Sequence, residues 1–362
     1  MATSDGMTYA PQGKPAPVCS AGDFPFAAAH LDHGHIYGQC NGLVEAGGDL
    51  RWVYDPDPEK VAAFCQKFPQ VRPASSLEAI LDDPAIKLVA AAAIPNERGP
   101  LGCRVMESGK DYFTDKTPFT SLDQLEAARG LAGRSGQKYL VYYSERLHVE
   151  SAVLAGQLIA DGAIGRVLQT IGTGPHRLSA ASRPEWFFRK AQYGGILCDI
   201  GSHQSEQFLH FTGAADARVN FSAVANYNNP AHPELEDFGE ASLTADNGAS
   251  GYYRVDWFTP DGLRTWGDGR TVIMGTKGYI ELRKYVEVGA ENAEGDQLYL
   301  VDENREHRIS CKGRVGYPFF GQLILDCLNR TETAMTQAHA FKAAELCLLA
   351  QDRAVQLAGP SA

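Results

Sequence analysis

The sequence predicts two folding units of different class. An N-terminal doubly wound α/β domain of the Rossmann type precedes a C-terminal α+β domain built on an antiparallel sheet. Three observations predict this. Up to about residue 150, short apolar runs alternate with amphipathic stretches, the pattern of a parallel sheet with crossover helices. Residues 87–94 are apolar after the first position, as a strand buried on both faces must be. Further on, Tyr279, Glu281, Arg283 and Tyr285 alternate with Ile280, Leu282 and Val286, the period of a half-buried antiparallel strand. A chain of 362 residues also suits roughly two domains.

The elements follow in order. Residues 26–31 read as the first strand, and 36–46 as a helix ended by Gly47 and Gly48. A second strand, 50–54, closes on Asp55, and the helix at 58–68 has Pro58 where a first turn accepts it. A short helix at 76–81, the strand at 87–94 and a helix at 100–108 stopped by Gly109 come next. Tyr112 and Phe113 begin a strand that runs into Asp115-Lys116-Thr117-Pro118, followed by a helix at 121–135 and a strand at 139–143. Beyond 150 the pattern changes. A helix at 151–161 and a strand at 167–172 lead to an irregular aromatic loop around Trp186, Phe187 and Phe188. Strands are expected at 219–227, 240–245, 251–258, 271–274 and 279–288, and a helix at 337–357 with Phe341, Ala344 and Leu348 on one face. The implied divisions are an arm at 1–23, domains at 24–150 and 151–335, and a C-terminal helix at 336–362 packing back on the N-terminal domain.

Charge and composition narrow the function. The net charge of -11, with no local run of Lys or Arg, argues against nucleic acid or an anionic membrane as partner. Eight scattered cysteines without a C-x-x-C pair point to reduced thiols in the cytoplasm. The first 23 residues lack a continuous apolar core, so neither a signal peptide nor a membrane span is expected there.

Three places carry chemistry. Gly194-Gly195 precedes Asp199 and His203, which share one face if the segment is helical. A histidine beside a carboxylate can relay a proton near pH 7; the alternative is a capping Asp on a solvated face. Lys116 follows an apolar strand, at the carboxyl end of a parallel sheet where ligands bind in this fold class; the alternative is a surface lysine beside a turn. Asp55, at the end of the second strand, could accept a ribose 2'-OH and repel a 2'-phosphate, which favours NAD over NADP. Asp55-Pro56-Asp57-Pro58 also satisfies a simple turn.

The loop Leu31-Asp32-His33-Gly34-His35-Ile36 departs from a dinucleotide fingerprint. Leu31, His33 and Ile36 stand where glycines would let the backbone approach a pyrophosphate. Gly34 can still permit the turn, with donors at the start of the Ile36 helix and the side chains of His33 and His35 toward phosphate. The cluster His30, Asp32, His33 and His35 could alternatively take a divalent metal with His176 and His203, or simply cap a helix. No metal site is assigned. His176, Arg189 and Trp186 are candidate substrate contacts, and Trp257 and Trp266 could stack on a sugar face or pack in a core.

With these motifs the chain resembles the Gfo/Idh/MocA oxidoreductase family, from Phe26 to the C-terminal helix. Ile94-Pro95-Asn96 is similar to a Pro-Asn loop beside the nicotinamide, Asp115-Lys116-Thr117-Pro118 to an acidic-Lys-Pro motif, and Gly194 to His203 to a Gly-Gly…Asp…His motif. Thr117 is an insertion in the second of these. The resemblance implies an NAD- or NADP-dependent enzyme acting on sugars, cyclitols or related polyols. It implies Lys116, Asp199 and His203 as catalytic groups, Pro95 and Asn96 at the cofactor, and a homodimer or homotetramer formed through the C-terminal sheet. Two other readings stay open: a metal-assisted lyase or hydrolase, favoured by the missing glycines, and a non-catalytic ligand-binding regulator.

Overall fold

Five crossovers build the N-terminal sheet of the computed structural model, which describes residues 17–290 and 295–358. The arm expected at 1–23 falls mostly on 1–16, outside the described residues. The described residues divide into two units, one of 17–142 with 317–341 and one of 143–290 and 295–316 with 342–358.

The N-terminal unit runs β1 (Pro25–Ala29), α1 (His35–Glu45), β2 (Asp49–Tyr54), α2 (Pro58–Lys67), β3 (Arg72–Pro73), α3 (Leu77–Leu81), β4 (Leu88–Ala91), α4 (Pro95–Glu107), β5 (Asp111–Asp115), α5 (Leu122–Ser135) and β6 (Tyr139–Tyr142). The strand order is β3-β2-β1-β4-β5-β6, every pairing parallel. The order reverses beside β1, so a crevice opens outside the carboxyl ends of β1 and β4, where this fold class holds ligands. Every residue of β1 and β4 is buried, as their apolar runs required. Asp57, Ser76 and Ser121 cap α2, α3 and α5 by accepting backbone N–H groups.

One helix begins earlier than its sequence suggests. α4 starts at Pro95 and carries Pro100 inside it, where the ring supplies no N–H to the Asn96 carbonyl. Gln124 Nε2 donates to that carbonyl instead, at 2.9 Å. A side chain from α5 therefore replaces the bond that proline removes, and the proline is tolerated.

The C-terminal unit contains α6 (Ser144–Leu147), α7 (Glu150–Ala160), β7 (Val167–Pro175), α8 (Lys190–Tyr193), α9 (Ile196–Asp199), α10 (Gly201–Thr212), β8 (Ala217–Ala225), β9 (Phe238–Ala245), β10 (Ser250–Asp256), β11 (Arg270–Gly275), β12 (Gly278–Arg283), β13 (Gln297–Asp302) and β14 (Glu306–Ser310). After α11 (Pro318–Asn329) and α12 (Gln337–Asp352), β15 (Val355–Gln356) completes a nine-stranded sheet ordered β14-β13-β12-β11-β7-β10-β9-β8-β15. The sheet is mixed rather than purely antiparallel. The α8–α10 crossover returns β8 in the direction of β7, so β10, two antiparallel steps on, lies parallel to β7. β15 also runs parallel to β8.

The strand expected at 279–288 ends at Arg283, although Lys284 and Val286 continue the buried alternation of Ile280 and Leu282. β13, β14 and α11 were not legible in the sequence pattern. The C-terminal region serves both units. In the N-terminal unit Phe319 meets Phe113, and Phe341 meets Tyr139 at a ring separation of 5.8 Å. In the C-terminal unit the Ala350 carbonyl accepts from Ser222 Oγ. The helix expected at 336–362 thus gives Phe341 to the N-terminal unit and Ala350 to the C-terminal unit.

α10 lies close on one face of the large sheet. A Cβ at Gly172 of β7 would stand 2.1 Å from Gln204 Oε1, so glycine there makes room for that side chain. α7 covers a core of Ile273, Ile280, Leu282 and Leu298 on β11 to β13. The opposite face carries exposed Ile171, Phe221, Tyr252, Val272, Met274 and Tyr279. Register sets these in two neighbouring rows: Ile171 is level with Tyr252 and Val272, and Met274 with Tyr279 and Gln169.

Candidate functional site

In the N-terminal unit the polar groups gather at the carboxyl end of β5. Asp115 is fully buried. Its Oδ1 accepts from the Lys116 amide at 2.8 Å and lies 2.9 Å from His35 Nδ1. Its Oδ2 accepts from Arg98 Nη2 at 3.2 Å, and His33 Nδ1 stands 3.4 Å away. Burial opposes ionisation of this carboxyl, but the His35 and Arg98 charges outweigh it and hold it well below the usual carboxylate range. Burial first, then repulsion from His35, pushes the His33 imidazole well below its ordinary value, so it is neutral at pH 7.

The histidine loop packs on this carboxylate through one nitrogen of each imidazole. The Nδ1 atoms of His33 and His35 are turned inward to Asp115, and His33 Nδ1 also accepts the His35 amide at 3.2 Å. His30 meets the Tyr54 ring edge-on, and Asp32 accepts from Lys60 Nζ at 2.6 Å, so the expected four-residue cluster divides. Gly34 adopts right-handed helical backbone, with φ of -63°, and the left-handed residue of the loop is His30, with φ of 53°. Gly34 therefore does not supply the freedom expected of it.

Among the described residues, His33, His35 and Asp115 are the one grouping whose donor atoms have metal-ligand spacing, within 4.8 Å. His176 and His203 belong to the C-terminal unit. Arg98 and the Lys116 amide each donate to one Asp115 oxygen, and the guanidinium places a positive charge beside any metal there.

The first turn of α1, which holds Ile36, has no acidic residue and no capping side chain. Its amides already have acceptors within the loop: His33 Nδ1 takes that of His35, the His33 carbonyl that of Ile36 at 3.2 Å, and the Gly34 carbonyl that of Tyr37 at 3.2 Å. Asp55 is buried: Oδ2 accepts the Leu31 amide at 2.6 Å and Oδ1 the Asp57 amide at 2.8 Å. It serves the turn and also ties the loop after β1 to the end of β2. Lys60 Nζ lies 4.0 Å from Asp55 Oδ1, a cation that the sequence reading overlooked. Pro95 occupies the first turn of α4, and the buried Asn96 Oδ1 has no hydrogen-bond partner among the described residues. Lys116 is buried, its peptide bond to Thr117 is cis, and its carbonyl accepts from Arg98 Nη1.

In the C-terminal unit the Gly194–His203 segment is two helices rather than one. α9 ends with Asp199, and His203 sits in the first turn of α10, beyond Ile200. Gly195 has φ of 91°, and a Cβ there would meet the Gln351 side chain at 2.2 Å. Gln351 Oε1 accepts the Leu197 amide at 3.0 Å, which holds the turn before α9. His203 is buried and Asp199 half-buried.

His203 has a neighbour that the sequence reading missed. Glu145, just after β6 in sequence, is 2 % exposed, and its Oε2 accepts from Lys284 Nζ at 2.9 Å and Gln204 Nε2 at 3.1 Å. Burial again opposes ionisation, but Lys284 first, then His203 and His176, hold the Glu145 carboxyl at about 2. His176 Nε2 stands 3.9 Å from Glu145 Oε1. His176 Nδ1 lies 3.1 Å from the Gly174 carbonyl, which only accepts, so Nδ1 carries the proton. The ring is flanked by Trp266 at 4.5 Å and Trp257 at 5.5 Å, both buried.

Two candidate substrate contacts lie elsewhere in this unit. Arg189 is exposed and pairs with Glu185 at 2.8 Å and Glu234 at 3.5 Å, which removes it from the Glu145 group. Trp186 sits half-buried in a short 3₁₀ turn beside Phe187. The signal for Glu145 was available: like Lys116, it is a charged residue directly after an apolar strand. Arg98, near the start of α4 and outside the helix expected at 100–108, gave none.

Comparison with known proteins fits this architecture. Residues 26–143 match the oxidoreductase family with an NAD-binding Rossmann fold, and 153–281 match the GFO/IDH/MocA C-terminal domain. A solved structure from Erwinia carotovora atroseptica SCRI1043 is 50% identical, with a TM-score of 0.90 over 93% of this chain and 100% of that one. Levoglucosan dehydrogenase in complex with NADH has the same fold at 17% identity, with a TM-score of 0.74 over 91% of this chain and 98% of that one. D-xylose dehydrogenase of Paenarthrobacter nicotinovorans is 23% identical over 56% of this chain and 52% of its own length. The chain spans about half the length of the curated relatives it matches. Both of its domains are matched in order, and the chain belongs to the Gfo/Idh/MocA oxidoreductase family, with that family's NAD-binding Rossmann fold.

Proposed function

We propose that the protein is an NAD-dependent dehydrogenase of a sugar, cyclitol or related polyol. The observation that carries this reading is the buried Lys116, held at the carboxyl end of β5 by the Asp115–Arg98 network, in a chain of this oxidoreductase family. The N-terminal end of α1, whose first turn has no acidic residue, and the loop of His33, Gly34 and His35 before it would face the phosphates of a dinucleotide, and Pro95 and Asn96 fit its nicotinamide end. When bound, the dinucleotide would take the hydride from the substrate carbon. Lys116 would hold the substrate hydroxyl, His203 would take its proton, and Asp199 would orient the substrate or the imidazole. His176 and Trp266 would line the sugar side. Asp55 supports NAD over NADP, since a 2'-phosphate would meet like charge there.

A second copy of the chain would cover the apolar patch of Ile171, Tyr252, Val272 and Met274, giving a homodimer or homotetramer. Among the described residues no helix is long and apolar enough to cross a membrane, and all eight cysteines are thiols, as a cytoplasmic enzyme requires.

One observation favours a metal-assisted lyase or hydrolase, the His33, His35 and Asp115 grouping. Arg98 on the same carboxylate speaks against it. Calorimetric titration with NAD and elemental analysis of the purified protein decide between the two. Micromolar NAD binding without metal is expected. Stoichiometric metal with no NAD or NADP binding would end the dehydrogenase reading.

A further inference from the structure

The Glu145 carboxylate is satisfied on one side only. Oε2 takes Lys284 Nζ and Gln204 Nε2, with Gln207 Nε2 at 3.5 Å, whereas the buried Oε1 has no hydrogen-bond partner among the described residues. A buried anionic oxygen without a donor is unfavourable, and such groups in folded proteins mark a place for water or ligand. Oε1 is directed to the side where His176 Nε2 stands, at 3.9 Å, too far for a direct hydrogen bond.

Charge decides what kind of donor belongs there. The Lys284 side chain is fully buried and pairs with Glu145, so the pair is neutral as a unit. The other groups facing it are His176 after β7 and His203, Gln204 and Gln207 on α10. No surplus negative charge is left to call for a cation. A neutral O–H group, donating to Oε1, completes the carboxylate at least cost.

We infer that Glu145 is a substrate-binding residue whose Oε1 accepts a hydroxyl of the substrate other than the one oxidised. This rests on the dehydrogenase reading, and it restricts the substrate to a compound with at least two hydroxyls. Lys284 and Gln204 are positioning residues: they occupy Oε2 and so fix the direction of Oε1.

Glu145→Gln is the direct test. The amide oxygen would stay with the Lys284 and Gln204 donors, and an N–H would replace the acceptor at Oε1. Because this leaves Lys284 buried without its counter-charge, the paired variant Glu145→Gln with Lys284→Met is made as well. D-xylose, D-glucose, myo-inositol and scyllo-inositol serve as probes. Their binding to the NAD-loaded protein is measured by calorimetry, and NAD reduction by absorbance. The polyol bound best by the unaltered protein should bind about 10- to 100-fold more weakly to whichever variants fold, the range for a hydrogen bond to a charged group. KM should rise correspondingly more than kcat falls, and NAD affinity should not change. Equal polyol affinity in a folded variant, or no binding of any probe to the unaltered protein, overturns the inference. Polyol binding that depends on Glu145 without any NAD reduction would instead refute the dehydrogenase reading and leave the Glu145 site standing.

Discussion

His35 Nδ1 lies 2.9 Å from Asp115 Oδ1, so the loop after β1 is fastened to the strand end that presents Lys116. In a glycine-rich dinucleotide loop the missing side chains let the backbone turn tightly and approach a pyrophosphate. Here two imidazoles stand in the glycine positions or beside them, and a buried carboxylate shared with Arg98 holds them in place.

Lys116→Ala and His203→Ala should each lower turnover about 100- to 10,000-fold, the usual contribution of a positioned acid or base. Circular dichroism and thermal melts should show folded protein in both. Near-normal kcat with the best polyol in both variants would refute their catalytic assignment.

Asp115→Asn should destabilise the protein by about 3–5 kcal/mol, because it leaves the buried Arg98 guanidinium without its counter-charge. Urea denaturation at pH 7 measures this. A midpoint equal to that of the unaltered protein would mean that the ion pair contributes nothing net.

Asp55→Ala should narrow the preference for NAD over NADP, read from the two dissociation constants. It should also weaken both, since it frees the Leu31 amide. Tighter binding of NADP than of NAD by the unaltered protein would overturn the cofactor preference.

Stability should depend on pH through two buried groups. His33 is held below its ordinary value of 6.5, so only the unfolded chain takes up a proton as pH falls past that value. The stabilisation from His33 is therefore complete above about pH 6.5 and is lost below it. Glu145, with its carboxyl at about 2 rather than 4.5, adds stability that is present above pH 4.5 and lost as pH falls towards 2. Urea midpoints between pH 7.5 and 5 (about the His33 range) should fall, and His33→Gln should flatten that slope. An unchanged slope in His33→Gln would exclude His33 as its source.

Val272→Glu with Met274→Lys should convert the assembly to monomers, measured by light scattering after gel filtration. The exposed patch would then carry charges at the centre of the contact. An unaltered protein that is already monomeric would remove the proposed sheet-to-sheet interface.

The sequence by itself determined the class of both units and the order of most elements, because periodicity, caps and breakers act within a few residues. It also marked Lys116, Asp199 and His203, since their spacing from strand ends and paired glycines is local. The tertiary structure alone decided what those residues sit among. Glu145 and Lys284 are 139 positions apart, and His35 and Asp115 are 80 apart, so no local pattern could join them. The same holds for Pro100, whose place inside α4 depends on Gln124 from the next helix. The inward turn of His33 and His35 was equally hidden. Whether an imidazole faces a ligand or a buried carboxylate depends on the desolvation and charge of groups that only folding brings together.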